Sequence, residues 1–465
     1  MSDPKQDSTQ GIRRLVDWGV GVRLTDISPA VLARGARILA DNMSAIIAAR
    51  NEPEVANFHK LMISRTERIE ATIYRGGMRQ CDRYSAAVAN GVAAEWLELA
   101  EGYRKAPCHA GAYVVPVLLS EAEADGRTVG ELLRALVVSY ELVTRIARAW
   151  VPPDMLMQPH ARYASIGAAA AATLIRRMRT EDVLSAFTAA CTLVFAGPRN
   201  HAVMGALVRN VWPAVGTWCG LMCADWARCG IGGVPEGPYE VFTDLLHATA
   251  RPEQLTADLG VSWAVMDGYA KIHACCQHAH SAVEATQELR ATLLAQGSLP
   301  SVAKVLVETH AGAMMLTNYR PATTLATKFS VPHIIAATLV TGHAGVEEFT
   351  HSAMHNPDIE RMRDMVEMKL YEPKLIPPND RPARVTAVLH SGQTVAAECL
   401  SARGGPDRPF PEAVIWRKIV DLAEPAYPNF RPVFESIIAL EEARLTSSWS
   451  DIISALGCVE TPQMA

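Results

Sequence analysis

The chain has 465 residues, 49% of them hydrophobic and 20% charged, with 44 basic against 49 acidic side chains and a formal charge of -5. These proportions describe a globular chain long enough for two or three cores, not a disordered one. The mixed charges offer no polybasic stripe for nucleic acid, and no apolar run reaches the roughly 18 residues that suggest a membrane span.

The opening MSDPKQDSTQ lacks the basic-then-apolar order of a signal peptide, and the ten cysteines are irregularly spaced, so a cytosolic (cytoplasmic) protein with reduced thiols is expected. Ser28-Pro29 then opens a helix whose apolar residues Val31, Ile38, Leu39, Met43, Ile46 and Ile47 follow a 3.6-residue period. In NGVAAEWLELAEGYRKAPCHAGAYVV, Glu95, Glu98 and Glu101 have helical i, i+3 spacing, which reads most simply as a solvated helix face. A loop with Arg104, Lys105, Cys108 and His109 follows, before another apolar helix. Asp125-Gly126 ends that helix, Thr128 with Glu131 forms a capping box for the next, ASIGAAAAATLI predicts a close-packed alanine-rich helix, and Thr180 caps one more. The first 268 residues are therefore mainly helical.

From 269 to 402 the pattern is α+β. SVAKVLVETH alternates like a strand, VPHIIAATLV and PDIERMRDMVEM predict an apolar and then a charged helix, and RVTAVLH-SGQ-TVAAECL reads as a hairpin. Residues 403–465 return to helix and end in a polar tail.

The densest chemistry lies in KIHACCQHAHSAVEAT, residues 271–286. Ser281 and Glu284 have capping-box spacing, so a helix should start there, with an extended lead-in that points Cys276, His278 and His280 to one side. A helix N-terminus flanked by Lys271 and histidines favours a carboxylate. Two other readings compete: a zinc site built on C-x-H-x-H, which lacks a completing ligand pattern, and plain core packing of histidines and thiols.

In order, NGVAAEWLEL, HAGAYVVPVLLSEAE, TVGELLRALVVSYELVTRI, ASIGAAAAA, KIHACCQHAHSAVEA and ATKFSVPHIIAA resemble the successive blocks of the MmgE/PrpD family, which includes 2-methylcitrate dehydratase, cis-aconitate decarboxylase and iminodisuccinate epimerase-like members. The resemblance runs from about residue 28 to 445. It implies a mainly α fold, with a large helical domain built from residues 1–268 and 403–465 and a smaller α+β lid, 269–402, inserted between them. It implies a homodimer with the active site between the domains, no organic cofactor and no metal, and a small di- or tricarboxylate substrate.

Carried over by position, the resemblance places the motif's two aspartates at Glu98 and Glu101, its loop histidine at His109 and its lysines at Arg209 and Lys271. Its cluster histidines fall on Cys276 or His278 and on His280, and its H-P-T-S histidine on Gln158 with His160 two residues on. A block tyrosine falls on His333. The expected catalytic set is thus His109, His278, His280 and Lys271, with Arg209, Ser281, Glu98, Glu101, Gln158, His160 and His333 binding substrate. Arg209 suits a carboxylate clamp, since arginine does not give up its proton at working pH. The reaction expected is a lyase step, dehydration or decarboxylation, by proton transfer next to a carboxylate. An epimerase, a non-catalytic binder and a zinc enzyme are the alternatives.

Overall fold

A computed structural model describes residues 3–78 and 80–459. Helix extends further toward the N-terminus than the periodicity from Ser28 suggests: Pro4–Gly21 form α1, opened by Asp3, which accepts from the Lys5 N–H at 3.0 Å, and anchored by buried Ile12, Leu15 and Val16. There follow α2 (Pro29–Ala48), α3 (Pro53–Ser64), α4 (Arg83–Ala94), α5 (Ala110–Ala124), α6 (Val129–Ala149), α7 (Pro159–Ile175), α8 (Thr180–Thr192) and α9 (Trp212–Arg228). The capping box at α6 is formed, with Glu131 N–H to Thr128 Oγ1 at 3.2 Å and Thr128 N–H to Glu131 Oε2 at 2.8 Å. At α8 the cap lies one residue earlier than expected: Thr180 is already helical and Arg179 is the boundary.

The alanines of α7 serve close packing. A Cβ on Gly216 or Gly220 of α9 would come within 2.3 Å of Ala164 or 2.4 Å of Ala168, so only bare backbone fits between these helices. This α5–α7–α9 layer is the rigid floor on which the site loops rest.

The α+β part holds α10 (His280–Ala295), β1 (Val302–Thr309), α11 (Val331–Thr341), α12 (Pro357–Asp364), β2 (Val366–Leu370), β3 (Ala383–Leu389) and β4 (Thr394–Cys399). Its sheet runs β2-β1-β3-β4, with β1–β2 parallel and the other two pairs antiparallel. Gly392, at φ +86°, makes the predicted hairpin turn. The charged segment expected to be one helix divides: α12 stops at Asp364, and VEMKL becomes β2, pairing Val366 with Val305. Tertiary pairing along an existing strand outweighs a helical charge pattern there.

The chain then returns to the helices. α13 (Glu412–Ala423) and α14 (Phe430–Ile438) pack on α2, and α15 (Trp449–Leu456) on α5, where Trp449 Nε1 donates to the Tyr74 hydroxyl at 2.9 Å. The end of the polar tail, 460–465, lies outside the described residues. All ten cysteines are unpaired. No helix among the described residues is long and apolar enough to cross a membrane.

Candidate active site

The three glutamates are neither helical nor solvated. α4 ends at Ala94, and Glu95, Glu98 and Glu101 sit on the turn that follows, at 0%, 2% and 2% exposure. Glu98 has φ +55°, a left-handed conformation that costs a non-glycine residue about 1 kcal/mol and persists only where surroundings fix it. They do: Glu98 pairs with Arg209 and lies 3.4 Å from Lys271 Nζ, and these cations hold its carboxyl down to about 2 against the cost of burial. Glu101 accepts from the Gly111 N–H at 2.9 Å, capping α5 from ten residues upstream, and from the Tyr140 hydroxyl at 2.8 Å. Burial outweighs both bonds and pushes it up to about 7. Glu95 has neither carboxylate oxygen hydrogen-bonded, and burial with the neighbouring Glu98 charge pushes it to about 8.

An antiparallel pair, Gly102–Tyr103 with Gly268–Tyr269, ties this turn to the entry of the α+β part. That tie brings Lys271, 0% exposed, against Glu98. His109 is the residue before α5. Its Nδ1 lies 3.2 Å from the Glu101 carbonyl and 3.4 Å from Glu95 Oε1, and burial, then Lys271, lowers it to about 4.

A cavity of about 520 Å³ opens where the two parts meet. The helical part contributes Glu98, His109, Gln158, Arg199 and Arg209; the α+β part contributes Cys276, His278, His310 and Arg381. Arg209, on a 3-10 turn before α9, has its guanidinium 4.9 Å above the Phe329 ring, a cation–π contact that fixes its direction. His278 is held well below its ordinary value by burial and then by Arg381 and Arg199. His310 Nε2 donates to the His278 carbonyl at 3.1 Å, and the two rings are 5.2 Å apart. The cavity thus presents neutral imidazoles and three guanidiniums, a setting for carboxylates and for proton transfer.

The expected set is only partly assembled there. His109, His278, Glu98, Arg209 and Gln158 line the cavity, while Lys271 stands behind Glu98. His160 packs behind His109, rings 5.1 Å apart, with Nδ1 at 3.1 Å from the Tyr113 hydroxyl. Glu101 acts through the start of α5. The lead-in to α10 is not extended: bends and a 3-10 turn, Gln277–Ala279, turn His280 away, where it packs against His273 and bonds the Cys275 carbonyl. Ser281 lies inside α10, not at its cap, because Gln277–Ala279 already winds into the helix. Glu284 instead accepts from the Arg403 N–H at 2.6 Å. His333 belongs to the packing of the α+β part, with Nε2 on the Glu348 carbonyl at 3.1 Å and Nδ1 3.4 Å from Arg363. Among the described residues no three His, Cys, Asp or Glu side chains are grouped to hold a metal ion.

Arg199, Arg381 and His310 were not singled out by sequence reading. Each sits in a loop or at a strand end, positions that present side chains to ligands, and that is the only signal they carry.

A helical scaffold with an α+β part and a cationic cavity between them defines the class. Two family models match, the MmgE/PrpD N-terminal domain over residues 13–257 and the MmgE/PrpD C-terminal domain over 273–439, and the chain belongs to this family. It is 24% identical over 469 residues to the cis-aconitate decarboxylase-like protein oryM of Aspergillus oryzae, covering 95% of this chain and 96% of that one. It is also 25% identical over 363 residues to a cis-aconitate decarboxylase of Aspergillus terreus, covering 72% of each.

Proposed function

We propose that the protein is a lyase that removes water or CO2 from a small di- or tricarboxylate by proton transfer at a carbon next to a carboxylate, needing no organic cofactor or metal. The observation that carries this reading is the pairing of two neutral imidazoles, His109 from the helical part and His278 from the α+β part, on one cavity with Arg199, Arg209 and Arg381. The guanidiniums bind substrate carboxylates and offset the charge of an enediolate-like transition state. Glu98, paired with Arg209 and Lys271, fixes the direction of that clamp. In dehydration His278, neutral at rest, takes the α-proton, and His109, once protonated at Nε2 from solvent, returns one to the leaving hydroxyl; in decarboxylation no carbon proton is removed, and the protonated His109 delivers the one proton that replaces CO2 on the carbon. At about 520 Å³ the cavity has room for a tricarboxylate.

The relatives' names put cis-aconitate first in the substrate panel, with 2-methylcitrate, citrate and iminodisuccinate beside it. Proton NMR in D2O with CO2 detection tests the reading: new vinyl signals or CO2 support it, and full retention of every substrate signal refutes it. Because both imidazoles are neutral and each can accept a proton, a two-base epimerase is the second reading. Exchange of an α-proton without loss of CO2 or water would select it.

Val215 and Trp218, exposed at 38% and 48% within one turn of α9, support a homodimer in solution, checked by light scattering.

A further inference from the structure

Three guanidiniums line the cavity, and they clamp a carboxylate well only if each is held still beforehand, because a long free side chain loses its rotamer freedom on binding. Two of them are fixed by neighbours. Arg209 pairs with Glu98 and lies over the Phe329 ring, and Arg199 Nη1 donates to Met315 Sδ at 2.9 Å. Arg381 makes no hydrogen bond among the described residues, and its ionic contact is a long one, Nε to Asp380 Oδ2 at 4.0 Å. Its fork is free for a ligand, so its position has to be set through the chain that carries it.

That chain is the long connection between β2 and β3, residues 371–382. From Glu372 to Pro378 it is mostly exposed, with Ile376 at 80%, so it has little core of its own. Its hydrogen bonds to the helical part, among the described residues, both come from Arg104: Nη2 donates to Asp380 Oδ1 and, at 3.5 Å, to the Pro378 carbonyl. The base of Arg104 is rigid. Its N–H donates to the Asp267 carbonyl at 3.3 Å, Lys105 pairs with Asp267 at 2.7 Å, and Tyr103 is paired with Gly268 and bonded to the Cys108 carbonyl at 2.8 Å. A fixed post on the helical part thus meets a loosely supported loop.

We propose that Arg104 and Asp380 form a latch that positions Arg381: their ion pair fastens the β2–β3 loop to the helical part and so sets the Arg381 guanidinium over the cavity as one arm of the carboxylate clamp. Arg104 does not line the cavity, so it is a positioning residue that acts through Asp380. The inference rests on the reading of the cavity as a polycarboxylate site. Charge alone and the latch predict opposite signs for one variant. Asp380 lines the cavity, so Asp380→Ala removes a negative charge from an anion site and by charge alone tightens binding; with the loop released, binding weakens.

Calorimetric titration of the full chain with tricarballylate, an unreactive tricarboxylate, reads the affinity. Asp380→Ala is expected to weaken it about 10-fold, near the lower end of what one charge-assisted hydrogen bond contributes. Arg381→Ala should weaken it at least as much, and in that background Asp380→Ala should bring no further loss, since both act through one guanidinium. Unchanged or tighter binding by Asp380→Ala overturns the proposal, as does a double variant that falls below Arg381→Ala by about that factor again. If Asp380→Ala does not fold, Arg104→Gln takes its place in the same cycle, and wild-type affinity or full additivity there overturns the proposal. A wild type that does not bind tricarballylate overturns the carboxylate reading itself, and this inference with it.

Discussion

Glu95→Gln should make the protein more stable at neutral pH. An unfolded glutamate titrates near 4.5, and folding raises Glu95 to about 8 through burial and the Glu98 charge. The native state therefore binds more protons than the unfolded one between these values. The stabilising contribution is complete below pH 4.5 and drains away as pH rises through 8. At about 1.36 kcal/mol per unit, the wild type loses roughly 3 kcal/mol from this group between pH 5 and pH 7.5. Glutamine has no proton to lose, so the variant loses nothing on this account. With an unfolding entropy of about 2.1 cal/mol/K per residue, a chain this long has about 1 kcal/mol/K in all, so the gap amounts to about 3 °C in Tm. Differential scanning fluorimetry across this pH range reads it directly: the two melting curves should coincide near pH 5 and separate by about that much at pH 7.5. Glu101 and His109 also titrate in the window but are common to both proteins. Parallel Tm profiles for variant and wild type would refute a buried, proton-bearing Glu95.

Four further outcomes are expected. Arg209→Lys keeps the charge but loses the planar fork, so kcat/KM should fall about 10- to 100-fold, the worth of one charge-assisted hydrogen bond, with steady-state kinetics as the check. Gly312→Ala would bring a Cβ to 2.6 Å from His278 Nδ1 and 3.0 Å from the His310 ring; kcat should drop with Tm nearly unchanged, and unchanged kcat would argue against His278 as the base. Because His280 is turned from the cavity, His280→Gln should keep most activity while His278→Gln and His109→Gln abolish it; the reverse order would move the site. Glu98, held near 2 by Arg209 and Lys271, stabilises the fold above its unfolded value of 4.5 and loses that contribution as pH falls through 2, so Glu98→Gln should flatten the acid limb of the Tm profile. At neutral pH the same variant leaves two buried cations unpaired and should cost about 3–5 kcal/mol.

Local rules carried the sequence reading far where the chain's own neighbours decide the structure. The Thr128–Glu131 box, the Gly392 turn and the alanine-rich α7 all lie as the pattern predicts, because capping, turn chemistry and small-residue packing act over a few residues. The reading failed where distant partners decide. Helical spacing of Glu95, Glu98 and Glu101 suggested a wet face, but the pairing of Gly102–Tyr103 with Gly268–Tyr269 and the charges of Arg209 and Lys271 draw these side chains inside. The capping-box spacing of Ser281 and Glu284 lost to a 3-10 turn that starts the helix earlier and to Arg403, which claims Glu284. Ordered blocks pointed to His109, His278 and Arg209, but the rest of the cationic lining, Arg199 and Arg381, is brought in only by tertiary folding.

The central claim is proton chemistry on a polycarboxylate, and incubation of the purified, EDTA-treated protein with cis-aconitate, 2-methylcitrate, citrate and iminodisuccinate in D2O, with His109→Gln as control, tests it most directly. The account predicts loss of an α-proton signal, new vinyl signals or CO2 release with the wild type alone. Turnover that returns only on adding zinc, or equal behaviour of wild type and His109→Gln, would contradict it.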